Sequence, residues 1–194
     1  MSALAAPDFE WKLPSRGRVA IAGLIAAESA VFTIFVVAYI FYLGKSVSGP
    51  EPRQVLSVPI FYTICLLSSS ITIHFATKAL HNRHNHVFAT WWAATIALGA
   101  TFLFGTAVEW HRLIYHDGLT ISTNLFGTTY YSLVGLHAFH VIVGLLCLSL
   151  VLVFTLLGVV NQEYADKIEI LSLYWHFVDS VWVVVFIVVY VIGR

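Results

Sequence analysis

Five long apolar runs, separated by short polar links, limit the possible folds of this chain more than any other feature. The hydrocarbon core of a bilayer is about 30 Å thick, so a helix rising 1.5 Å per residue crosses it with roughly 20 apolar residues. Each run is long enough. Of the 194 residues, 59% are hydrophobic and only 10% are charged, an apolar surplus that one soluble core could not bury. The excess apolar surface must face lipid.

The continuity of these runs favours helices, because strands of a membrane β-barrel would show segments of about ten residues with alternating polarity. The sequence therefore predicts an all-α integral membrane protein, a bundle of five transmembrane helices preceded by an extramembrane segment at residues 1–18. The predicted spans are residues 19–43, 57–80, 88–110, 126–158 and 168–192. The fourth run exceeds what a bilayer requires, so its helix either projects from the membrane or begins nearer Tyr130.

The links between the runs are short and carry helix breakers such as Pro50 and Pro52, so sequential helices are expected to be antiparallel neighbours. An odd number of spans places the termini on opposite sides, and an excess of lysine and arginine marks the cytoplasmic side. The sequence favours a cytoplasmic N-terminus and an external C-terminus. With that orientation, the internal residues are Lys12, Arg16, Arg18, Lys78, Arg83 and Lys167, and the external ones are Lys45, Arg53, Arg112 and Arg194.

Several functional classes are excluded by charge and by motif. Ten lysines and arginines balance ten acidic residues, so the chain has no basic field to hold nucleic acid. Cys65 and Cys147 each lie inside an apolar run, where packing is a more common role for cysteine than a disulfide or a metal pair. No segment resembles a nucleotide loop, a nucleophile elbow or a metalloprotease helix. We predict no catalytic residue here, and expect any part in catalysis to pass through a partner.

Two acidic residues lie near the middle of predicted spans, Glu28 in the first and Asp179 in the fifth. An ionised side chain at that depth costs about 2.5–3.5 kcal/mol on insertion scales, so such residues usually face the protein interior and often serve function. No basic residue lies within a turn of Glu28. It must be protonated, hydrated or paired with another helix. Either it takes part in handling protons or lipid, or it is hydrogen-bonded to a neighbouring backbone or hydroxyl group.

The fifth span carries His176 and Asp179 three residues apart on one face, with Trp175 and Trp182 beside them. His137 and His140 have the same spacing in the fourth span. A histidine at the depth of Asp179 would be its natural partner. We therefore predict a buried histidine–aspartate network, including Trp175, that clamps the fourth and fifth helices together.

Glu109 and Arg112 are also three residues apart, near the end of the third span. At this spacing they favour an interfacial ion pair worth a few tenths of a kcal/mol. The alternative is a functional role for the Glu109 carboxylate in the membrane.

The spans contain four histidines, His74, His137, His140 and His176, and imidazole is a common metal ligand. The sequence has no paired Glu-x-x-His set and no cysteine cluster to complete a haem or metal site, so no metal is predicted. His81, His84 and His86 fall in a link, where they are either simple solvated side chains or a surface that collects protons.

Two segments are specific enough to indicate a family. Residues 131–144 (YSLVGLHAFHVIVG) and 173–182 (LYWHFVDSVW) resemble the signature segments of subunit III of the haem-copper terminal oxidases. The resemblance continues upstream in residues 28–32 (ESAVF), 66–72 (LLSSSIT) and 104–110 (FGTAVEW). Many members have seven helices, and this chain resembles the short five-helix form, which lacks the first two.

The resemblance implies an accessory subunit of a respiratory enzyme that reduces O₂ to water and pumps protons. Such a subunit holds no haem or copper itself, because these belong to its partners. It packs against the catalytic subunit I, alongside subunit II, binds phospholipid in a cleft between two groups of helices and helps to sustain proton uptake. The implied location is the inner (plasma) membrane of a bacterium. By this resemblance Glu28 and Glu109 are assigned to the lipid cleft or to proton uptake, and the polar residues that support the bundle are His137, His140, Trp175, His176 and Asp179.

Two other functions remain open. A stand-alone transporter of protons or small solutes would use Glu28 and Asp179 as a relay, although neither broken helices nor inverted repeats are evident. The second alternative is a subunit III homologue attached to a nitric-oxide reductase system. The signature segments alone do not distinguish this branch of the family from an oxidase subunit.

Overall fold

The structure, a computed structural model, describes residues 15–46, 49–160 and 162–193. In this part of the chain every long element is a helix, and five helices are long and apolar enough to cross a membrane. The predicted all-α fold with five spans is confirmed. The helices are α1 (Arg16–Tyr42), α2 (Pro52–Val55), α3 (Ile60–His81), α4 (Asn85–Tyr115), α5 (Leu125–Leu156) and α6 (Ala165–Phe186), with a 3₁₀ turn at Gln162–Tyr164 and a π-helical continuation of α6 at Ile187–Ile192.

Local signals explain where the long helices begin and end. The Asn124 side chain accepts a hydrogen bond from the backbone N–H of Gly127 at 2.8 Å and caps the start of α5. Gly44 and Gly158 follow α1 and α5 with φ angles of +73°, a conformation that glycine adopts without a Cβ clash. Because α5 starts at Leu125 and has 32 residues, it is about 48 Å long. This long helix therefore projects beyond the hydrocarbon core.

The five spanning helices form a bundle in which α5 and α6 each contact three of the others. α6 packs against α1, α3 and α5, while α5 also contacts α1 and α4, and α3 lies along α4. In the most apolar part of α1 only 11% of the residues are buried, against 44% in α6. α1 is therefore the peripheral helix. We call the end of the bundle where α1 and α6 begin the proximal end, and the end where α3 and α5 begin the distal end.

Three fully buried tryptophans join the helices through their indole N–H groups. Trp92 of α4 donates to the backbone oxygen of Leu148 at 2.8 Å. Trp175 and Trp182 of α6 donate to hydroxyls on α3, at 2.9 Å and 3.2 Å respectively. The Trp175 ring lies between Gly99 and Gly144, where a Cβ atom would come within 2.9 Å and 2.8 Å of it. Small residues let bulky rings enter helix interfaces here, as is common in membranes.

Candidate functional site

The Glu28 carboxylate meets a histidine on another helix. Its Oε2 atom lies 3.1 Å from Nε2 of His140 on α5, and the two side chains are 28% and 8% exposed. The Nδ1 atom of His140 lies 2.7 Å from the Leu136 carbonyl, which can only accept, so Nδ1 carries a hydrogen. One further proton must then lie between Nε2 and the carboxylate. Glu28 is therefore paired, one of the three states considered from the sequence.

This pair lies on the wall of a lateral groove of about 520 Å³ between α1 and the α5–α6 pair. Apart from Glu28 and His140, the groove is mostly apolar, with Lys167 at its proximal end. Lys167 also lines a second apolar cavity of about 270 Å³ between the end of α5 and the start of α6. The remaining residues of the larger groove include Leu24, Phe139, Val143, Cys147, Ile170 and Tyr174.

Asp179 forms a second polar cluster, which joins α6 to α3. Its Oδ2 atom accepts hydrogen bonds from the hydroxyls of Ser69, at 3.5 Å, and Ser70. The Ser70 hydroxyl also lies 3.0 Å from Nδ1 of His176, and Trp175 donates to Ser69. Asp179 is only 3% exposed, and its Oδ1 atom has no partner among the described residues.

The predicted histidine–aspartate network between the fourth and fifth predicted spans is therefore wrong, because its members bind other helices. Asp179 pairs with serines of α3, and His140 pairs with Glu28 of α1. The spacing of His176 and Asp179 predicted a shared face but not which helix that face meets. The serine run at residues 68–70 held the missing signal, because hydroxyls in an apolar span are common hydrogen-bond partners.

His137 packs as an aromatic ring. It is completely buried, and within the described residues neither ring nitrogen has a hydrogen-bond partner. The ring stacks on Trp182 with a centroid distance of 5.0 Å and meets the edge of Phe102 at 5.7 Å. The expectation that His137 belongs to a polar network is not met by its contacts.

Glu109 lies at the distal end, where its Oε2 atom accepts a hydrogen bond from Tyr190 at 2.9 Å. The Tyr190 hydroxyl is 3.4 Å from that of Tyr130. Arg112 instead donates to the Val55 carbonyl at 2.6 Å and lies 3.7 Å from Asp117. The expected ion pair between Glu109 and Arg112 is replaced by these contacts, because the loop carbonyl and Asp117 lie within reach of the guanidinium.

Glu28 and Glu109 do not share one cleft. Glu109 and Arg112 line a separate cavity of about 240 Å³ between the start of α3 and the end of α4. The geometry therefore associates only Glu28 with the lateral groove, while Glu109 anchors the continuation of α6 through Tyr190.

His81, His84 and His86 are exposed at the proximal end. Only His84 lies in the α3–α4 link, because His81 is the last residue of α3 and His86 lies in the first turn of α4. The nearby Arg83 donates to the side-chain oxygen of Gln162 at 2.7 Å, and Gln162 donates to the His81 carbonyl at 3.1 Å. This link is thereby tied to the start of α6. Among the described residues, no group of three or more potential ligands is placed to hold a metal ion.

These features define an all-helical, multi-pass membrane protein whose intramembrane polar groups join helices in pairs. A family model described as cytochrome c oxidase subunit III matches residues 25–194. The chain belongs to the cytochrome c oxidase subunit III family, as its signature segments predicted.

Individual relatives agree with this assignment. The cytochrome c oxidase subunit 3 of Bacillus sp. (strain PS3) is 32% identical over 171 residues, which cover 87% of this chain and 82% of that protein. That of Synechocystis sp. is 36% identical over 172 residues, covering 87% and 72%. That of Corynebacterium diphtheriae is 32% identical over 197 residues, covering 97% and 95%.

Proposed function

We propose that this chain is an accessory subunit of a haem-copper respiratory oxidase, and that it binds phospholipid in the groove beside Glu28. It acts without redox chemistry of its own, stabilising the catalytic subunit I in a complex that also contains subunit II. Haem and copper are held by those partners. The single observation that carries the lipid role is the lateral groove between α1 and the α5–α6 pair.

The groove offers a suitable environment both for the acyl chain and for the headgroup of a phospholipid. Its volume of about 520 Å³ and its apolar lining suit an acyl chain. The Lys167 ammonium at the proximal end suits a headgroup phosphate, since lysine binds phosphate as a point charge. The second cavity next to Lys167 offers room for another chain of the same lipid.

The Glu28–His140 pair links this groove to proton uptake in our proposal. The pair holds one proton between two side chains, and the groove lies at its side. A lipid in the groove keeps water away from the pair and holds α1 against α5. Loss of the lipid would then loosen this side of the bundle during turnover.

The proposed location is the inner (plasma) membrane of a bacterium, with the proximal end in the cytoplasm. Within the described residues, five lysines and arginines lie near the proximal end and three near the distal end. This difference supports a cytoplasmic proximal end by the positive-inside rule. Lys12 and Arg194, which entered the sequence-based count, lie outside the described residues.

A stand-alone transporter is less well supported. A relay between Glu28 and Asp179 needs connected polar groups, but the Glu28–His140 pair and the Asp179 cluster are joined by no hydrogen bond among the described residues. The relatives are named as subunits of cytochrome c oxidase, which favours an oxidase over a nitric-oxide reductase partner.

The lipid role is tested by counting phospholipids retained by the purified complex, using native mass spectrometry. Val143→Trp should fill the groove and Lys167→Ala should remove the headgroup contact, and both should lower the number of retained lipids. Lys78→Ala is the matched control, because Lys78 lies exposed at the proximal end of α3 and does not line the groove. Equal lipid counts in all four proteins would refute the assignment.

A further inference from the structure

The two halves of α1 are held to the bundle very differently. From Arg16 to Val31 no side chain is buried. The two buried residues of this helix, Phe32 and Tyr39, lie in its distal half and are 4% and 1% exposed. We call residues 16–28 the proximal arm, and this arm forms the α1 wall of the lateral groove. The groove is therefore bounded by the least buried part of the least buried spanning helix.

The distal half of α1 is anchored by aromatic packing. The centroid of the Phe32 ring lies 5.0 Å from that of the His140 ring on α5. The Tyr39 ring meets the edge of Phe126 at 6.4 Å. Its hydroxyl lies against Gly193, where a Cβ atom would come within 2.5 Å of the hydroxyl oxygen. These two buried rings hold the distal half in place, because buried aromatic side chains contribute much of the packing energy.

The proximal arm has a weaker attachment to α6. Arg18 forms an ion pair with Glu169 at 3.2 Å, but the two side chains are 51% and 37% exposed. Exposed ion pairs contribute little stability, because water screens them and two long side chains must be ordered. Between this ion pair and Glu28, the arm lines the groove. A movement of α1 at this end would open the groove to the surrounding bilayer.

Two hydroxyl residues mark a weak point between the two halves. The Ser29 hydroxyl donates to the Ile25 carbonyl, and the Thr33 hydroxyl donates to the Ser29 carbonyl, both at 2.7 Å. Such hydroxyls compete for carbonyl oxygens that the helix itself uses, so they weaken the helix locally and often bend it. This weak point lets the proximal arm move while the distal half stays in place.

We propose that the proximal arm of α1 is a lateral gate for the lipid groove. The arm swings away from α5 and α6 about the segment from Ser29 to Thr33, and a phospholipid then enters or leaves from the bilayer. The Arg18–Glu169 ion pair holds the gate closed. This inference rests on the proposed function, because it takes the groove as a lipid site, and it adds how that site is opened.

The test is to lock the gate with a disulfide between Gly17→Cys and Ile170→Cys. A Cβ atom at position 17 would lie 2.5 Å from Cδ1 and 3.9 Å from Cγ1 of Ile170. The two positions are therefore close enough for a disulfide, and the shorter cysteine side chain removes the overlap.

The readout is the rate of lipid exchange in the purified oxidase complex. The complex is mixed with excess vesicles of equal parts phosphatidylethanolamine and phosphatidylglycerol with deuterated acyl chains, and native mass spectrometry follows the uptake of deuterated lipid. Lipids that are absent from the Val143→Trp complex are counted as groove lipids. The disulfide form should exchange them at least about tenfold more slowly than the same protein after reduction, because the cross-link removes the open conformations.

A second variant opens the gate instead of locking it. Glu169→Ala removes the ion pair and should speed the exchange by about two- to fivefold, the scale of an exposed ion pair. Glu163→Ala is the matched control and should leave the rate unchanged. Glu163 is exposed in the 3₁₀ turn and forms no ion pair among the described residues. Equal rates for the two variants would overturn the role of the Arg18–Glu169 pair.

The failure of the gate differs from the failure of the lipid role. If the unmodified complex retains no groove lipid, the lipid role is wrong and the gate is wrong with it. If groove lipid is retained and exchanges equally fast in the disulfide and reduced forms, the gate is wrong and the lipid role stands.

Discussion

The Nε2 atom of His140 on α5 lies 3.1 Å from the Oε2 atom of Glu28 on α1. This contact joins the least buried helix to the rest of the bundle, and the two side chains should therefore stabilise α1 as one unit. We expect Glu28→Ala and His140→Ala each to destabilise the protein by about 1 kcal/mol, the scale of hydrogen bonds between membrane helices.

A double-mutant cycle separates this bond from other effects. Glu28→Ala with His140→Ala should be hardly less stable than either single variant, as measured by thermal unfolding in detergent. Simple addition of the two single effects would show that the contact contributes nothing.

Glu28→Gln provides a functional prediction. A glutamine can still hydrogen-bond to His140, so the complex should assemble with normal haem spectra. The variant can no longer supply the proton held in the pair, and we expect its oxidase activity to decay faster during turnover. The decay is followed by O₂ consumption over repeated turnovers. Complete loss of haem from this variant would show that Glu28 is required for assembly instead.

His137→Phe should be tolerated, because His137 makes ring contacts and no hydrogen bond among the described residues. Removing an unsatisfied buried polar ring should stabilise the protein by about 1 kcal/mol. His140→Phe is the matched comparison on the same helix and should destabilise it. A His137→Phe protein that unfolds at a lower temperature than the parent would contradict this account.

Asp179 should tolerate an amide better than an apolar side chain. Asp179→Asn keeps an oxygen that accepts from Ser69 and Ser70, so the thermal unfolding temperature should change little. Asp179→Leu leaves the Ser70 hydroxyl without its carboxylate acceptor and should cost about 1–3 kcal/mol. Equal unfolding temperatures for the two variants would exclude a hydrogen-bonding role for Asp179.

The position of Trp175 predicts that Gly144 cannot be enlarged. A Cβ at Gly144 would lie 2.8 Å from the Trp175 ring, so Gly144→Ala should cost about 1–3 kcal/mol through overpacking. Gly23→Ala is the control, because nothing lies within 4 Å of a Cβ there and alanine favours helix. Trp175→Phe should relieve part of the cost in the Gly144→Ala background. If Gly144→Ala and Gly23→Ala unfold alike, Trp175 is not held as tightly as described.

The fold followed from sequence because lipid imposes a simple rule of length and polarity. Each of the five apolar runs forms a helix, but the observed ends differ from the predicted ones. For example, the third span was predicted to end at residue 110, whereas α4 continues to Tyr115. The short α2 at Pro52–Val55 carries too little hydrophobic pattern to be predicted. The family was evident from its two signature segments.

The partners of the polar side chains were harder to predict. Spacing within one helix places Asp179 and His176 on a common face, but only the packing of helices decides that this face meets Ser70 of α3. The same limitation applies to Glu109, whose partner Tyr190 is 81 residues away in sequence. For Glu28 the sequence left protonation, hydration and pairing with another helix open, and no signal selected His140.

The most direct test of the central claim is affinity purification of the tagged chain from its native membrane in mild detergent, followed by an optical spectrum. If the chain is an accessory oxidase subunit, haem and copper should co-purify in larger polypeptides, and the preparation should consume O₂. A colourless chain that purifies alone from a membrane with an active oxidase would contradict the account.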